Sequence, residues 1–430
     1  MKLKNIFSFF IFVTIIFGVS LTPKSSLNDV SGDDSYSGLR GVNLGNFLEA
    51  PNEGDWTNGL LIKEKHFQRI ASAGFNLVRV PIRWNAHAMD ITPYTIDSSF
   101  FDRVDWVIDQ SFANNLSIII NIHHYNELMA DPESHRGRFL ELWQQISHHY
   151  QNYSHDLFFE VLNEPHDNLT NILWNQYLQD AIDIIRVTNP DRTLIVGPTN
   201  WNNVWTLSDL VLPQNDSNIV ATFHFYSPFE FTHQGAEWVS GSNAWLGTNW
   251  TSSQAEKDGI DNEIDFAVNW AKTNNRSLFI GEFGAYQYGY MNGRIEWTAY
   301  VRAKAESIPE MWGWAYWEFC SGFGIMDSSL SYWYTGLLGS LLPDSPLIKR
   351  DYSTSSSLPV LESTPGSESS SISFTTTSES TNLEIMPILL LTSLITVFYK
   401  KKQEKSKELD TITSKKNEKN KPNENRINLH

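Results

Sequence analysis

The chain has 430 residues, 41% of them hydrophobic and 19% charged, enough to bury one large α/β core or two smaller ones. Its formal net charge of −17 argues against nucleic acid and other polyanions as partners, while leaving a neutral polymer open. A lone cysteine, Cys320, excludes an intramolecular disulfide, so stability must come from packing.

Lys2 and Lys4, the apolar stretch Ile6–Val19 and the small residues Gly18 and Ser20 predict a secretory signal peptide over 1–20. A folded domain is expected over 37–345. Its predicted strands are Leu39–Leu44, Asn76–Ile82, Ser117–Ile122, Leu157–Leu162, Thr193–Val196, Ile219–Phe223, Leu278–Ile280 and Gly313–Trp317. Between them, Ile62–Ser72, Phe100–Phe112, Arg138–Tyr150, Asn171–Thr188, Ala255–Lys272 and Ile295–Ser307 carry apolar residues at helical spacing. The fifth connection is short and its helical pattern weak. Alternation of this kind predicts an α/β chain folded as a (β/α)8 TIM barrel. The competing open doubly wound sheet lacks its glycine fingerprint, because Gly41 and Gly45 are not spaced for a phosphate loop.

Beyond the barrel, 18 of the 29 residues from Ser353 to Thr381 are Ser or Thr. That composition predicts a disordered, stalk-like linker over 351–384. Residues 385–399 carry no charge and are followed at once by Lys400, Lys401 and Lys402, which predicts a short transmembrane anchor with its basic tail, 400–430, in the cytoplasm. The tail holds +5, leaving −22 on residues 1–399. The expected location is the extracellular face of the cell membrane. Sequons at Asn115, Asn152, Asn168, Asn215, Asn249 and Asn275 permit N-glycosylation of such an exported chain.

In a parallel barrel the chemistry sits where the strands end. Asn46 and Glu49 follow the first predicted strand and Arg79 lies on the second. His123 and His124 follow the third, Asn163 and Glu164 end the fourth, and Asn200 and Trp201 follow the fifth. His224 and Tyr226 follow the sixth, Glu282 the seventh, and Trp317 with Glu318 the eighth. Solvated loops would favour Lys, Asp and Ser instead. Pro165 stops the fourth ladder at Glu164, and the Asn163 amide suits a sugar 2-hydroxyl. Gly281 and Gly284 are expected to let the backbone approach a ligand beside Glu282. Glu160, mid-strand, reads as structural.

The segments Phe159–His166, Leu278–Gly284, Gly74–Trp84 and Arg40–Trp56 together resemble glycoside hydrolase family 5 of clan A, in its group of compact β-1,4-endoglucanases, some of which also cleave mannan. The resemblance spans about Ser37 to Leu342. It implies a retaining endoglucanase with Glu164 as general acid/base and Glu282 as nucleophile, the two carboxyls about 5–5.5 Å apart. It further implies that Arg79 sits under Glu282 and favours its ionised form, that Tyr226 hydrogen-bonds it, and that His224 lies near Glu164. Trp317 would form the floor under the reacting sugar, and Asn46, Glu49, His123, His124, His233 and Trp238 would line the glycone subsites. The substrate would be a neutral β-linked polysaccharide, the protein a monomer, and no cofactor would be needed.

Two rival chemistries can be weighed on the residues. A metal site at His123, His124 and His224 is disfavoured because neighbouring strand residues point to opposite sides. A catalytically silent polysaccharide binder would not need both carboxylates with their Asn, Arg, Tyr and Trp neighbours. Cys320 reads as a buried apolar thiol, and Trp106, Trp143, Trp174 and Trp270 as core. Trp238, Trp245 and Trp250 are candidates to extend a polymer cleft.

Overall fold

The computed structural model describes residues 38–348. The signal-peptide segment, the linker, the anchor segment and the basic tail lie outside the described residues. Among the described residues, no helix is long and apolar enough to cross a membrane.

Eight strands, β1 (Leu39–Asn43), β2 (Leu77–Val80), β3 (Ser117–Asn121), β4 (Leu157–Glu160), β5 (Leu194–Val196), β6 (Ile219–Phe225), β7 (Ser277–Phe283) and β8 (Met311–Tyr316), pair in sequence order and close on themselves. Every pairing is parallel, including β1 with β8. The expected TIM barrel is therefore the fold. Six helices of ten or more residues surround it among the described residues: α1 (Glu64–Ala73), α2 (Ser98–Ala113), α3 (Pro132–His149), α4 (Asn171–Thr188), α5 (Gln254–Asn274) and α6 (Met291–Glu306). The weak fifth connection folds as a single short turn, Thr199–Asn202, and a 3₁₀ segment, Val204–Asp209.

Local chemistry sets the helix ends. Asp97, Thr170 and Ser253 each accept a hydrogen bond from a backbone N–H of the first turn, and Pro132 opens α3 where no N–H is needed. On α4, Trp174, Tyr177, Leu178, Ala181, Ile182 and Ile185 form the buried stripe against the barrel. Trp143 and Trp174 are fully buried, and Trp106 and Trp270 pack against the same core.

The two-residue side-chain period divides the barrel interior into layers. Leu77, Ile119, Phe158, Ile195, Val220, Phe279 and Ala315 form an apolar plug at the lower end. Two residues further along their strands, Arg79, Asn121, Glu160 and Thr222 make the next layer polar, and all four are fully buried. The candidate site stands on that polar layer.

On β7 the period is broken. Phe223 pairs with Ile280 but His224 pairs with Glu282, so Gly281 is an extra residue in a bulge. Without it the alternation from Phe279 would turn Glu282 toward the helices. With it, Glu282 faces the interior and Phe283 packs outward on Trp297, Trp314 and Tyr316.

Candidate active site

A cleft of about 1080 Å³ opens at the carboxyl ends of the strands. Of the residues expected there, Asn46, His123, His124, Glu164, His224, Tyr226, His233, Trp238, Glu282 and Trp317 line it. One carboxylate oxygen of Glu164, one of Glu282 and a ring nitrogen of His224 all lie within 4.8 Å of one another. Residues separated by 118 positions in sequence thus meet through strand order alone.

Beneath them, Arg79 organises the floor. Its guanidinium grips Glu160 through two bonds of 2.6 and 2.7 Å, donates 2.7 Å to Glu282 Oε1, and reaches Asn43 Oδ1 at 2.8 Å and Asn163 Oδ1 at 2.7 Å. The Glu160 pair is the bidentate geometry that arginine suits. Asn43 in turn donates to the carbonyls of Gly281, Ala315 and Tyr316, tying β1 to the bulge and to β8. Tyr226 donates to Glu282 Oε2 at 3.0 Å, and His224 Nδ1 meets Glu164 Oε1 at 2.7 Å.

Burial pushes the Glu164 carboxyl up to about 7, with Arg79 and His166 partly opposing it. Burial also raises Glu282, although Arg79 and His224 pull the other way. Arg79 thus favours the ionised form of Glu282 as expected, but burial outweighs it and the net shift is upward. Relative to Glu164, Glu282 still has more donors suited to an anion. Burial holds His124, His224 and His233 down to about 4, so all three are neutral at neutral pH.

Several residues sit elsewhere than the sequence suggested. Glu49 and Asn163 are not on the cleft wall, while Arg79 lies beneath Glu282 where the resemblance placed it. Glu49 is buried, accepts the backbone N–H groups of Asn46 and Phe47, and has its pKa pushed up to about 8 by burial. It supports the turn that carries Asn46 from below. Arg79 and Asn163 lie under the carboxylates. Gly281 and Gly284 face protein and not ligand: a Cβ on Gly281 would lie 2.8 Å from Thr222 Oγ1, and one on Gly284 would lie 2.1 Å from the Trp317 carbonyl. His123 and His124 share the cleft, their rings 4.4 Å apart, because β3 has ended at Asn121 and His124 turns the backbone at φ 53°. Strand alternation no longer applies there. Trp250 is buried, and neither it nor Trp245 lines the cleft. Cys320 is a buried free thiol, its pKa raised by burial.

Other wall residues went unassigned in the sequence. Trp56 stands edge-on to His124, and Trp201 stacks on His166 at 4.7 Å and 15°. Tyr286 and Phe323 pack around the exposed Trp238. Trp201 was already placed after the fifth strand and Tyr286 lies three residues past β7, so position was the available signal for both; Phe323 depends on the long loop after β8, which carries none. The setting of Trp317 is better defined. Trp317 lies over Gly45, where a Cβ would come within 2.8 Å of its ring, so only glycine leaves room for the indole.

Comparison with known proteins agrees with this geometry. The family model for cellulase, glycosyl hydrolase family 5, matches residues 30–320. Endoglucanase H of Acetivibrio thermocellus is 35% identical over 314 residues, a match covering 73% of this chain and 31% of that one; the chain thus spans about a third of that relative's length. Among solved structures, Thermotoga maritima Cel5A in complex with cellobiose is 48% identical, with a TM-score of 0.68 over 70% of this chain and 97% of that one. Cel5A has also been solved with mannotriose, at the same identity and coverage. The cellulose synthase subunit Z of Clostridioides difficile is 38% identical, with a TM-score of 0.68 over 71% and 99% of the two chains. With its barrel closed in strand order and a family match over most of its length, the chain belongs to glycosyl hydrolase family 5.

Proposed function

We propose that the chain is a retaining endo-β-1,4-glucanase that hydrolyses cellulose-like or mixed-linkage β-glucans by double displacement. The observation that carries this reading is the carboxylate pair, Glu164 and Glu282, within 4.8 Å across an open, aromatic-walled cleft. A separation near 5 Å leaves no room for a water between acid and nucleophile, as inversion would require. In the first step Glu282 attacks the anomeric carbon while Glu164 gives its proton to the departing glycosidic oxygen. In the second, Glu164 takes a proton from water, which attacks the same carbon and frees Glu282. Trp317 offers an aromatic face to the sugar ring, and neutral His123, His124 and His233 offer hydrogen bonds without charge.

Mannan or glucomannan is the second reading, favoured by the mannotriose complex of the similar Cel5A. We further propose that the protein acts as a monomer on the outer face of the cell membrane, held by residues 385–399 with the Ser/Thr-rich linker as spacer. The support for the anchor and the spacer is the composition of those segments. A panel of carboxymethyl cellulose, mixed-linkage β-glucan, glucomannan and xylan tests the reading. Reducing ends are expected first from the two glucans; release from glucomannan alone would make it a mannanase, and binding without release a silent lectin-like protein.

Glu164, His224 and Glu282 also have the spacing of a cation site. The Arg79 guanidinium 2.7 Å from Glu282 opposes a second positive charge there. A chelator is therefore expected to leave hydrolysis unchanged, and a loss restored by a divalent cation would reassign the site.

A further inference from the structure

His224 touches the proposed acid through one ring nitrogen, and its other nitrogen meets a residue to which the proposed chemistry assigns no role. Asn202 Nδ2 lies 3.2 Å from His224 Nε2, and His224 Nδ1 lies 2.7 Å from Glu164 Oε1. Asn202 is fully buried, while Trp201 immediately before it is half exposed to the cleft. Its Oδ1 has no hydrogen-bond partner among the described residues, and a Cβ at Gly197 would lie 2.1 Å from that oxygen. Leaving a buried acceptor unpaired is costly. The arrangement nonetheless keeps the amide nitrogen, and not the oxygen, toward the ring.

The backbone is shaped to hold it there. Asn200, Trp201 and Asn202 are three consecutive left-handed residues, at φ 60°, 59° and 52°. Asn and Asp tolerate that conformation better than other non-glycine residues. Asn203 then bridges to His224 itself, anchoring the turn to β6. On the opposite side, a Cβ at Gly281 would lie 3.1 Å from His224 Nε2, so the bulge glycine leaves the ring its room.

We infer that Asn202 is a positioning residue that fixes the tautomer of His224 and thereby decides which oxygen of Glu164 carries the catalytic proton. This rests on the acid role proposed for Glu164. An amide N–H can only donate, so Nε2 is the acceptor and the single ring proton sits on Nδ1. Nδ1–H then donates to Glu164 Oε1, the nearer of its two carboxylate neighbours; Glu282 Oε2 is 3.5 Å away. With Oε1 occupied as an acceptor, the proton of the neutral acid is confined to Oε2. When that proton leaves for the glycosidic oxygen, Nδ1–H remains in place and stabilises the carboxylate it leaves behind. No heavy atom has to move between the two steps.

Asn202→Asp tests this, because it keeps the size and tolerates the left-handed backbone while presenting only acceptors. Nε2 must then carry a proton. A neutral ring now faces Glu164 with a bare Nδ1, which draws the acid's proton onto Oε1 and away from the leaving group. Two-bond ¹⁵N–¹H spectra of the histidine rings are expected to show His224 protonated on Nδ1 in the wild type and on Nε2 in the variant. Hydrolysis of cellohexaose is expected to fall about 10²-fold, the lower range for loss of a general acid. The burst of dinitrophenol from 2,4-dinitrophenyl β-cellobioside, which reports glycosyl-enzyme formation with a leaving group that needs no proton, should stay near the wild-type rate and certify the fold. Equal losses in cellohexaose hydrolysis and in that burst, an undiminished rate on cellohexaose, or an unprotonated Nε2 in the variant would each overturn the inference. A wild type silent toward both substrates would instead overturn the functional reading and this inference with it.

Discussion

Replacing Glu282 by alanine is expected to lower hydrolysis of mixed-linkage glucan by on the order of 10⁵-fold, the scale seen when a nucleophile is removed from an otherwise intact site. The fold should survive the change. Arg79 loses one partner but keeps both bonds to Glu160 and those to Asn43 and Asn163, so its charge is not left unpaired in the interior. The space vacated by the carboxylate lies against the anomeric carbon, so azide can enter it and attack in its place. The expected product from an activated β-cellobioside is the α-glycosyl azide, of inverted configuration, identified by NMR. The corresponding Glu164→Ala variant should give the β-azide instead, because there azide meets a glycosyl-enzyme already formed on Glu282. Opposite stereochemistry from the two variants would fix both roles at once. A β-azide from Glu282→Ala, or no azide product from a folded variant, would show that the roles are exchanged or misassigned.

The barrel was legible because each of its strands is a short apolar run buried on both sides, and such runs are set off sharply from amphipathic helices. Even Asn171–Thr188 has in the structure the limits its sequence pattern predicts. The fifth connection was read as short for the same reason, since in Thr199–Asp209 only Val204 and Leu207 are buried apolar residues. What the pattern could not carry was phase. Gly281 was read as lying just past a strand that ended at Ile280 and was assigned to ligand approach, whereas it lies within β7, adds one residue to it and turns Glu282 inward. Glu160 was rightly read as structural, yet that reading understated it: it neutralises the arginine on which the site floor is built. Glu49 shows the converse limit. A carboxylate three residues after an asparagine at a strand end resembles a wall residue in one dimension, while only the turn at Asn46, φ 72°, shows that it folds back under its own backbone.

The site also departs from a simple division in which one carboxyl is buried and the other paired. Burial raises both Glu164 and Glu282, so the difference between them has to come from neighbours. Glu282 is served by Arg79 and Tyr226, two donors to an anion. Glu164 receives His224, a neutral ring, and keeps 24% of its side chain open to the cleft. A proton shared between the pair is therefore expected to reside on Glu164, where the leaving oxygen would arrive. Because the Glu164 carboxylate raises Glu282, the two titrations belong to the pair and not to either residue alone.

Glu164→Gln tests that distribution. Glutamine keeps an oxygen for His224 Nδ1 but has no proton to give, so cleavage of unactivated glucan is expected to fall by about 10²–10⁴-fold. Formation of the glycosyl-enzyme from 2,4-dinitrophenyl β-cellobioside should be nearly untouched, with turnover then limited by water attack lacking its base, so a burst of dinitrophenol is expected. The pH profile adds a second reading. In the wild type the acid must be protonated, so kcat/KM falls as pH rises through the Glu164 value of about 7. The nucleophile must be ionised, and because its pKa is raised, the acidic limb lies above the ordinary carboxylate range. Over the acidic limb Glu164 already holds its proton and is uncharged, so the variant's acidic limb should stay near its wild-type position while its alkaline limb disappears. An alkaline limb that survives in the variant would mean that another group supplies the proton. Equal loss on the activated and unactivated substrates would mean that Glu164 holds the site together and does not act as its acid.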